Sequence, residues 1–445
     1  MIVLLSVANF RSIEAEETFS LVADKHLSTN HQTHVIPIPD ATAQVLKTSV
    51  LYGANGAGKS NLFKALRYLK MLVLKPRKKN SGTGREIFIF AENTSSQPSS
   101  FDLQFITQGK HYRFGCAVTD QQIIEEWLVQ IIGGREKVIY ERITDENGKV
   151  TIEAKNSGKK FAALVTVGGP QNQTFLATIR ATLNEADYGE EISAVLAWFE
   201  DSLTLIAPDE SFRALGTQLT NDSTFLEFAG AFLRASATGV EAIKAHKQEI
   251  SEEELCNLLP ESLISRLLDE EGKALIQFGK DKELLIERSD NHYYRLTIQT
   301  DHKHQMEKSI SLDLSEESDG TRRLLNLIPA LHHSCNNAVY FIDEIDRSMH
   351  PMLVWKFLEF FLKSGVGEQH QIIVTTHESN LLDLNLLRRD EIWFADKGAN
   401  GATHLYSLSD FKSRKDLDIR KHYLHGRFSA LPFLGNLEHL LKKNK

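Results

Sequence analysis

"SVLYGANGAGKSNLF", residues 49–63, runs an apolar segment into a glycine-rich loop and then a Lys-Ser pair. Gly53, Gly58, Lys59 and Ser60 fill the pattern G-x-x-x-x-G-K-[ST] completely. In such a loop backbone N–H groups close around phosphates, the lysine reaches the β and γ oxygens, and the Ser hydroxyl ligates Mg²⁺. The loop residues Gly53, Asn55, Gly56, Ala57 and Gly58, with Lys59, Ser60 and Asn61, are therefore candidate nucleotide-binding residues. The flanks agree with this. "LKTSVLY" (46–52) reads as a strand, and "KSNLFKALRYLKMLVL" (59–74) carries Leu62, Phe63, Leu66, Leu69 and Val73 at the recurrence of a half-buried helix. The positive end of that helix would face the phosphates.

The bulk numbers exclude several classes. At 445 residues, 42% hydrophobic and 25% charged, the chain can bury a large core and has neither a disordered nor a membrane profile. A net charge of −8 confines any nucleic-acid contact to a local basic patch. "KPRKK" (75–79) is the best such patch, although a solvated loop is the commoner reading of such a run. Cys116, Cys256 and Cys335 are far apart, which suits a reducing cytoplasm and offers no disulfide framework or zinc site. His422-x-x-His425 lacks Cys or acid at ligand spacing and is read as non-metal. The opening "MIVLLSVANFRS" is too short for a membrane span and has the wrong charge order for a signal peptide. No membrane association is expected.

Three segments follow from the patterning. Residues 1–172 carry the first strand, a possible partner strand "ETFSLVA" (17–23), the glycine loop and an antiparallel series: "EIFIF", "FDLQFIT", "HYRFGCAV", "IIEEWLVQII", "KVIYERIT", "KVTIEA". Residues 173–280 read as a helical insertion, with "FLEFAGAFLRA" and a capping-box spacing at Ser251 and Glu254. Residues 281–445 return to strands ("KELLIER", "YYRLTIQT", "SISLDL") and then alternate strand and helix: "AVYFIDEI", "LVWKFLEFFLKS", "QIIVTTH", "NLLDLNLLRR", "EIWFAD". That alternation predicts a parallel sheet covered by helices.

Further chemistry lies in the last third. "AVYFIDEID" (338–346) is a buried strand ending in Asp343, placed to hold Mg²⁺, and Glu344, placed to polarise a water. "QIIVTTHES" (371–379) ends in Thr375, Thr376 and His377, and a His there could bond a γ-phosphate. "LDLSEESDGTRRLLNLIP" (312–329) sets Ser318 and Gly320 in a polar turn before an amphipathic helix, a second anion site in a chain with one phosphate loop. The mismatch predicts that this turn serves the nucleotide of another subunit.

The order of these motifs resembles the ABC-type ATPase heads of the SMC, Rad50 and RecF clade. "ESDGTRRLL", "IDEIDRSMHP" and the tail "YSLSDFKSRKDLDIRKHYLHGRFSALPFL" are similar to the AAA15 group, with OLD-type heads among its kin. The resemblance implies an α/β fold, with a mixed sheet around the phosphate loop, an antiparallel β lobe and a helical insertion. It implies ATP and Mg²⁺ as ligands, with Lys59, Glu344 and His377 catalytic and Ser60 and Asp343 on the metal. Ser318 and Gly320 would complete the partner's site in a head-to-head ATP sandwich. "NFRS" (9–12) is similar to the clade's segment after its first strand, which carries a phosphate-approaching role to Arg11 and Ser12. By the same likeness Asp346 would sit at the dimer interface, while His350 could equally begin a helix. Two departures stand: Asp319 replaces a signature Gly, and Gln97 is the nearest candidate for a lid-loop Gln.

The implied function is a cytoplasmic ATPase that is the sensor or scaffold of a bacterial anti-phage system, akin to the ATPase subunits of the PARIS or abortive-infection L systems. It would hold or release a separate effector, a nuclease of TOPRIM-like type, in response to a phage protein. The alternative is a recombination or repair ATPase that binds DNA directly.

Overall fold

The computed structural model describes residues 1–27, 31–78, 81–155, 158–210, 215–259, 264, 272–278, 282–289, 292–303, 309–332, 337–364, 369–411 and 419–425. The chain divides into two compact units, Met1–Leu205 with Cys335–Ile345 and Leu362–Lys445, and Ile206–Ser334 with Asp346–Phe361. Within the expectations above, Cys335, Lys79, the helix past residue 264 and most of the tail fall outside the described residues.

The first unit is built on two sheets. Strands β5 (Thr48–Tyr52), β17 (Val339–Ile342) and β18 (Gln371–Thr376) bury every side chain. Parallel strands covered on both faces read this way, as continuous apolar runs. They join β11 (Leu203–Ile206), β19 (Ile392–Lys397) and β20 (Thr403–Ser407) in the order β11-β17-β18-β5-β19-β20. The pairs β17·β18, β18·β5 and β5·β19 are parallel, and β20 is antiparallel to β19. Helix α1 (Lys59–Leu74) buries Leu62, Phe63, Leu66, Leu69 and Val73 as its periodicity predicts, and Phe63 meets Phe341 of β17 edge to face.

The second sheet is antiparallel, in the order β10-β9-β8-β7-β6-β1-β2. It comprises β1 (Ile2–Ala8), β2 (Glu17–Ser20), β6 (Ser99–Thr107), β7 (Lys110–Val118), β8 (Ile123–Ile132), β9 (Arg135–Thr144) and β10 (Val150–Ala154). Helices α2 (Lys159–Val167), α3 (Phe175–Thr182) and α4 (Glu190–Ala197) follow, and β3 (Val35–Pro37) with β4 (Gln44–Leu46) forms a short ribbon. One buried amide ties the sheets together. Gln371 of β18 donates to the carbonyls of Ile2 and Leu46, both at 2.9 Å, and accepts from the Ile2 N–H at 2.6 Å.

The second unit pairs β12 (Val240–Ile250), β15 (His292–Lys303), β14 (Lys282–Ser289) and β13 (Gly272–Phe278) in that order, with β16 (Ser309–Asp313) also on β15. Helices α5 (Leu215–Asn221), α6 (Ser223–Ala235), α7 (Glu252–Leu258), α8 (Asp319–Leu327) and most of α9 (Pro351–Ser364) belong to it. Helix α6 packs on β12 at Gly230, where a Cβ would make ordinary contact with the Ile243 nitrogen at 3.4 Å. The capping box at Ser251 and Glu254 is formed.

The expected α/β class, the β1–β2 pair, the β6–β10 meander and the parallel sheet are all present. Three local readings are corrected. "EIFIF" is not a strand: Ile89 and Phe90 are exposed, and the segment is held by side-chain bonds such as Phe88 N–H to Asn9 Oδ1. "NLLDLNLLRR" is not a helix, because Asp383 accepts from the Asn385 N–H and turns the chain locally. "VEAIKAHKQEI" (240–250), inside the span read as helical, is a strand because ten of its residues pair with β15, and pairing overrides the propensity of Ala, Glu and Lys.

Gln371→Leu keeps the volume but removes partners from three buried backbone groups. It should cost about 3 kcal/mol of stability, a few tenths to one and a half for each bond plus the desolvated groups left behind. Urea unfolding would read this, and an unchanged midpoint would refute the role given to the amide.

Candidate active site

Because β5, β17 and β18 are parallel, their carboxyl ends share one edge, where ligands of open α/β sheets bind. From β5 the chain enters the Gly53–Gly58 loop, whose tip, Asn55 and Gly56, is exposed. Gly58 stands at φ 107°, in the left-handed region, and a Cβ there would lie 2.0 Å from Thr403 Oγ1. No other residue type fits. At Gly53 a Cβ would meet the Ala395 carbonyl at 2.5 Å.

Lys59 is buried and folds back over this loop. Its Nζ donates to the Gly53 and Ala54 carbonyls at 2.7 and 3.1 Å, and lies 3.2 Å from Nδ1 of His377. A cation held among carbonyl oxygens at the mouth of an N–H-lined loop is ready for phosphate oxygens. A hydroxyl chain braces the outer side of the loop. Asn61 Nδ2 donates to Ser12 Oγ at 2.6 Å, Ser12 Oγ donates to Thr403 Oγ1 at 2.6 Å, and Thr403 Oγ1 donates to the Ala57 carbonyl at 2.8 Å.

The acidic side is equally tight. Asp343, at the end of β17, is 3% exposed, and its Oδ1 accepts from Ser60 Oγ at 3.1 Å and from Thr375 Oγ1 at 2.6 Å. Glu344, half-buried, holds φ 49°, and its N–H donates to Thr375 Oγ1 at 2.8 Å. His377 is exposed, with Nδ1 3.3 Å from the Gly53 carbonyl. Ser60 and Asp343 offer two hard oxygen donors side by side, which suits Mg²⁺ shared with phosphates. Among the described residues no group of three or more His, Cys, Asp or Glu could hold a metal by itself.

Lys59, Ser60, Asp343, Glu344 and His377 thus come together, with Ser12 against the loop. Arg11 is close by in sequence but turned to Glu86: its N–H donates to the Glu86 carbonyl at 2.8 Å and Nη2 pairs with the carboxylate at 2.6 Å. Ser318 and Gly320 lie in the second unit. Ser318 N-caps α8, accepting from the Thr321 N–H at 3.1 Å, and a Cβ on Gly320 would be 2.7 Å from the Ser348 carbonyl. Asp319, the departure in the signature turn, forms an ion pair with Arg322 one turn along α8. His350 accepts from the Met352 N–H at 3.2 Å at the start of α9. Gln97 is exposed and engaged through its carbonyl by Arg85 and Asn9. In the basic loop, Lys75 and Lys78 are exposed. Thr403 was not foreseen, since a threonine 346 residues from Ala57 carries no signal of its contact.

A family model described as "AAA domain, putative AbiEii toxin, Type IV TA system" matches residues 49–163 and 171–383. No curated protein matches the chain. Solved structures similar to it include the SMC head domain from Thermotoga maritima, at 12% identity over 91% of this chain and 98% of that one, with a TM-score of 0.36. Another is an SMC head bound to the C-winged helix domain of ScpA, at 14% identity, 91% and 97% coverage and a TM-score of 0.41. A third is the Smc head with an extended coiled coil bound to the C-terminal domain of ScpA derived from Pyrococcus furiosus, at 13% identity, 96% and 99% coverage and a TM-score of 0.39. Among the described residues no helix is long and apolar enough to cross a membrane.

Gly58→Ala tests the loop geometry. A left-handed alanine driven into Thr403 stores roughly 1–3 kcal/mol of strain, so nucleotide binding should weaken about tenfold or more. A fluorescent-nucleotide titration reads this, and native affinity in the variant would count against the loop as the binding element.

Proposed function

The chain belongs to the matched AAA-domain family, and from that premise we propose that it is an ABC-type ATPase, converting ATP and water to ADP and phosphate between paired heads. The observation that carries this reading is the convergence of Lys59, the Ser60–Asp343 pair, Glu344 and His377 at one sheet edge. In the proposed reaction Lys59 exchanges its loop carbonyls for β- and γ-phosphate oxygens. Ser60 and Asp343 would hold Mg²⁺, which supplies charge neutralisation on the phosphates. Glu344 orients a water and takes its proton as the water oxygen bonds to the γ-phosphorus. The bond to the β–γ bridging oxygen breaks, and ADP leaves with that electron pair. His377 bonds the γ-phosphate, and Arg11 swings from Glu86 to the phosphates.

Ser318 and Gly320 are proposed to serve the nucleotide of a second copy. The support is a serine-capped helix start in a chain with one phosphate loop, and a glycine that the Ser348 carbonyl requires. Closing and opening of such a sandwich is the step that hydrolysis would time. The family description names a toxin of a toxin–antitoxin system. Together with the AAA15-like motifs, it supports a defence role in the cytoplasm, in which the heads hold or release a separate nuclease effector when a phage product arrives.

Two measurements test the core of this. Glu344→Gln should keep ATP affinity while phosphate release falls on the order of a hundredfold or more, and ATP should then accumulate the paired form in light scattering. Lys59→Ala and Ser318→Arg should each be inactive alone yet partly active when mixed, because one of the two sites in the mixed pair is intact. Hydrolysis that survives Glu344→Gln would remove the catalytic assignment, and a mixture that stays inactive would remove the sandwich.

A further inference from the structure

Thr375 is fully buried near the carboxyl end of β18, just after the apolar run 372–374, where valine would fill the same space. Its hydroxyl has one proton and accepting lone pairs, and two of its bonds are fixed in direction. Asp343, as a carboxylate, can only accept, so Thr375 Oγ1 donates to Oδ1 at 2.6 Å. The Glu344 N–H can only donate, so Thr375 Oγ1 accepts from it at 2.8 Å. The Thr375 carbonyl also accepts from the Ile345 N–H at 3.1 Å. One residue of a neighbouring strand therefore grips three consecutive residues at the end of β17.

The grip has a specific consequence at each. Asp343 Oδ1 receives both Thr375 and Ser60, so the carboxylate is turned toward the hydroxyl that would share its metal. Glu344 sits at φ 49°, a conformation that a residue with a side chain holds only when its surroundings impose it. The bonds to Thr375 are part of what imposes it. Two residues further on, His377 touches the Gly53 carbonyl and approaches Lys59. The same stretch of chain thus sets the acid side and borders the phosphate side.

We infer that Thr375 is the positioning residue of this site, presenting the Asp343 carboxylate to the metal and the Glu344 carboxylate to the water as a single unit. The inference rests on the ATPase reading proposed above. A hydroxyl that only filled space or stabilised the strand would affect folding and leave the metal dependence of nucleotide binding alone. A positioning hydroxyl does the reverse, since removal of a group that orients a metal ligand typically costs about 10–100-fold in metal affinity or activity.

The test measures ATP affinity with Mg²⁺ and with EDTA, alongside kcat and KM, for the native protein, Thr375→Val and Thr375→Ser. The expected result for Thr375→Val is unchanged affinity in EDTA, loss of most of the gain that Mg²⁺ confers, and a kcat lowered roughly 10–100-fold with KM little moved. Thr375→Ser, which keeps the hydroxyl, should return all three to within a few-fold. If Thr375→Val does not fold, Thr375→Ala against Thr375→Ser gives the same contrast. Native Mg²⁺ dependence and kcat in the Val or Ala variant overturn the inference alone, as does a folded Ser variant that rescues nothing. A native protein with no Mg²⁺-dependent ATP binding would overturn the ATPase reading and this inference with it.

Discussion

The site depends on the register of three parallel strand pairs. Ile342, Val374, Val50 and Ile392 lie in one row across β17, β18, β5 and β19. All four are wholly buried, so the row is fixed by apolar packing. One residue beyond it, Asp343 and Thr375 stand side by side. A slip of one residue in any of these strands would turn an acid or a hydroxyl into the core and an apolar side chain toward the site. The polar edge is thus placed by residues that have no chemistry of their own.

Much of this was legible. The glycine loop, the strand before it and the helix after it follow from local pattern, because each satisfies a local demand: φ above zero at Gly58, apolar period along α1, an apolar run in β5. Asp343, Glu344 and His377 were legible for a related reason, since charged and polar side chains stand out where they end a buried apolar strand. What was not legible is whatever depends on a distant partner. The β12 sequence is rich in Ala, Glu and Lys and becomes a strand only because β15 is there to pair with it. "EIFIF" has strand composition, yet its backbone bonds go to the Asn9 side chain and to Arg11. Thr403 reaches the loop through the fold of β20 against Ser12, and nothing near it in sequence announces this.

Two buried polar side chains of the first unit fix its geometry in similar ways. Gln371 joins backbone groups of the two sheets, and the Thr375 hydroxyl joins the Asp343 carboxylate to the Glu344 N–H at the strand ends. Each is fully buried, and each makes at least two bonds. Unpaired, either would be costly, and paired they fix geometry more sharply than apolar contact, which is indifferent to small rotations.

The Arg11–Glu86 pair shows how such a site can be ordered yet ready to change. Both side chains have access to water, at 29% and 56% exposure, so the pair is worth only about 1 kcal/mol or less. Its backbone is less free: φ 52° at Arg11 and the bond from its N–H to the Glu86 carbonyl hold the residue in one place. The guanidinium can therefore leave Glu86 at small cost while its root stays fixed. A triphosphate carries several charges where Glu86 carries one, and bidentate contact with phosphate favours arginine further. In the proposed cycle nucleotide arrival wins this contest without moving the backbone. In that proposed cycle, loss of the γ-phosphate would hand Arg11 back to Glu86, and the pair would be a reversible rest position and not a lock.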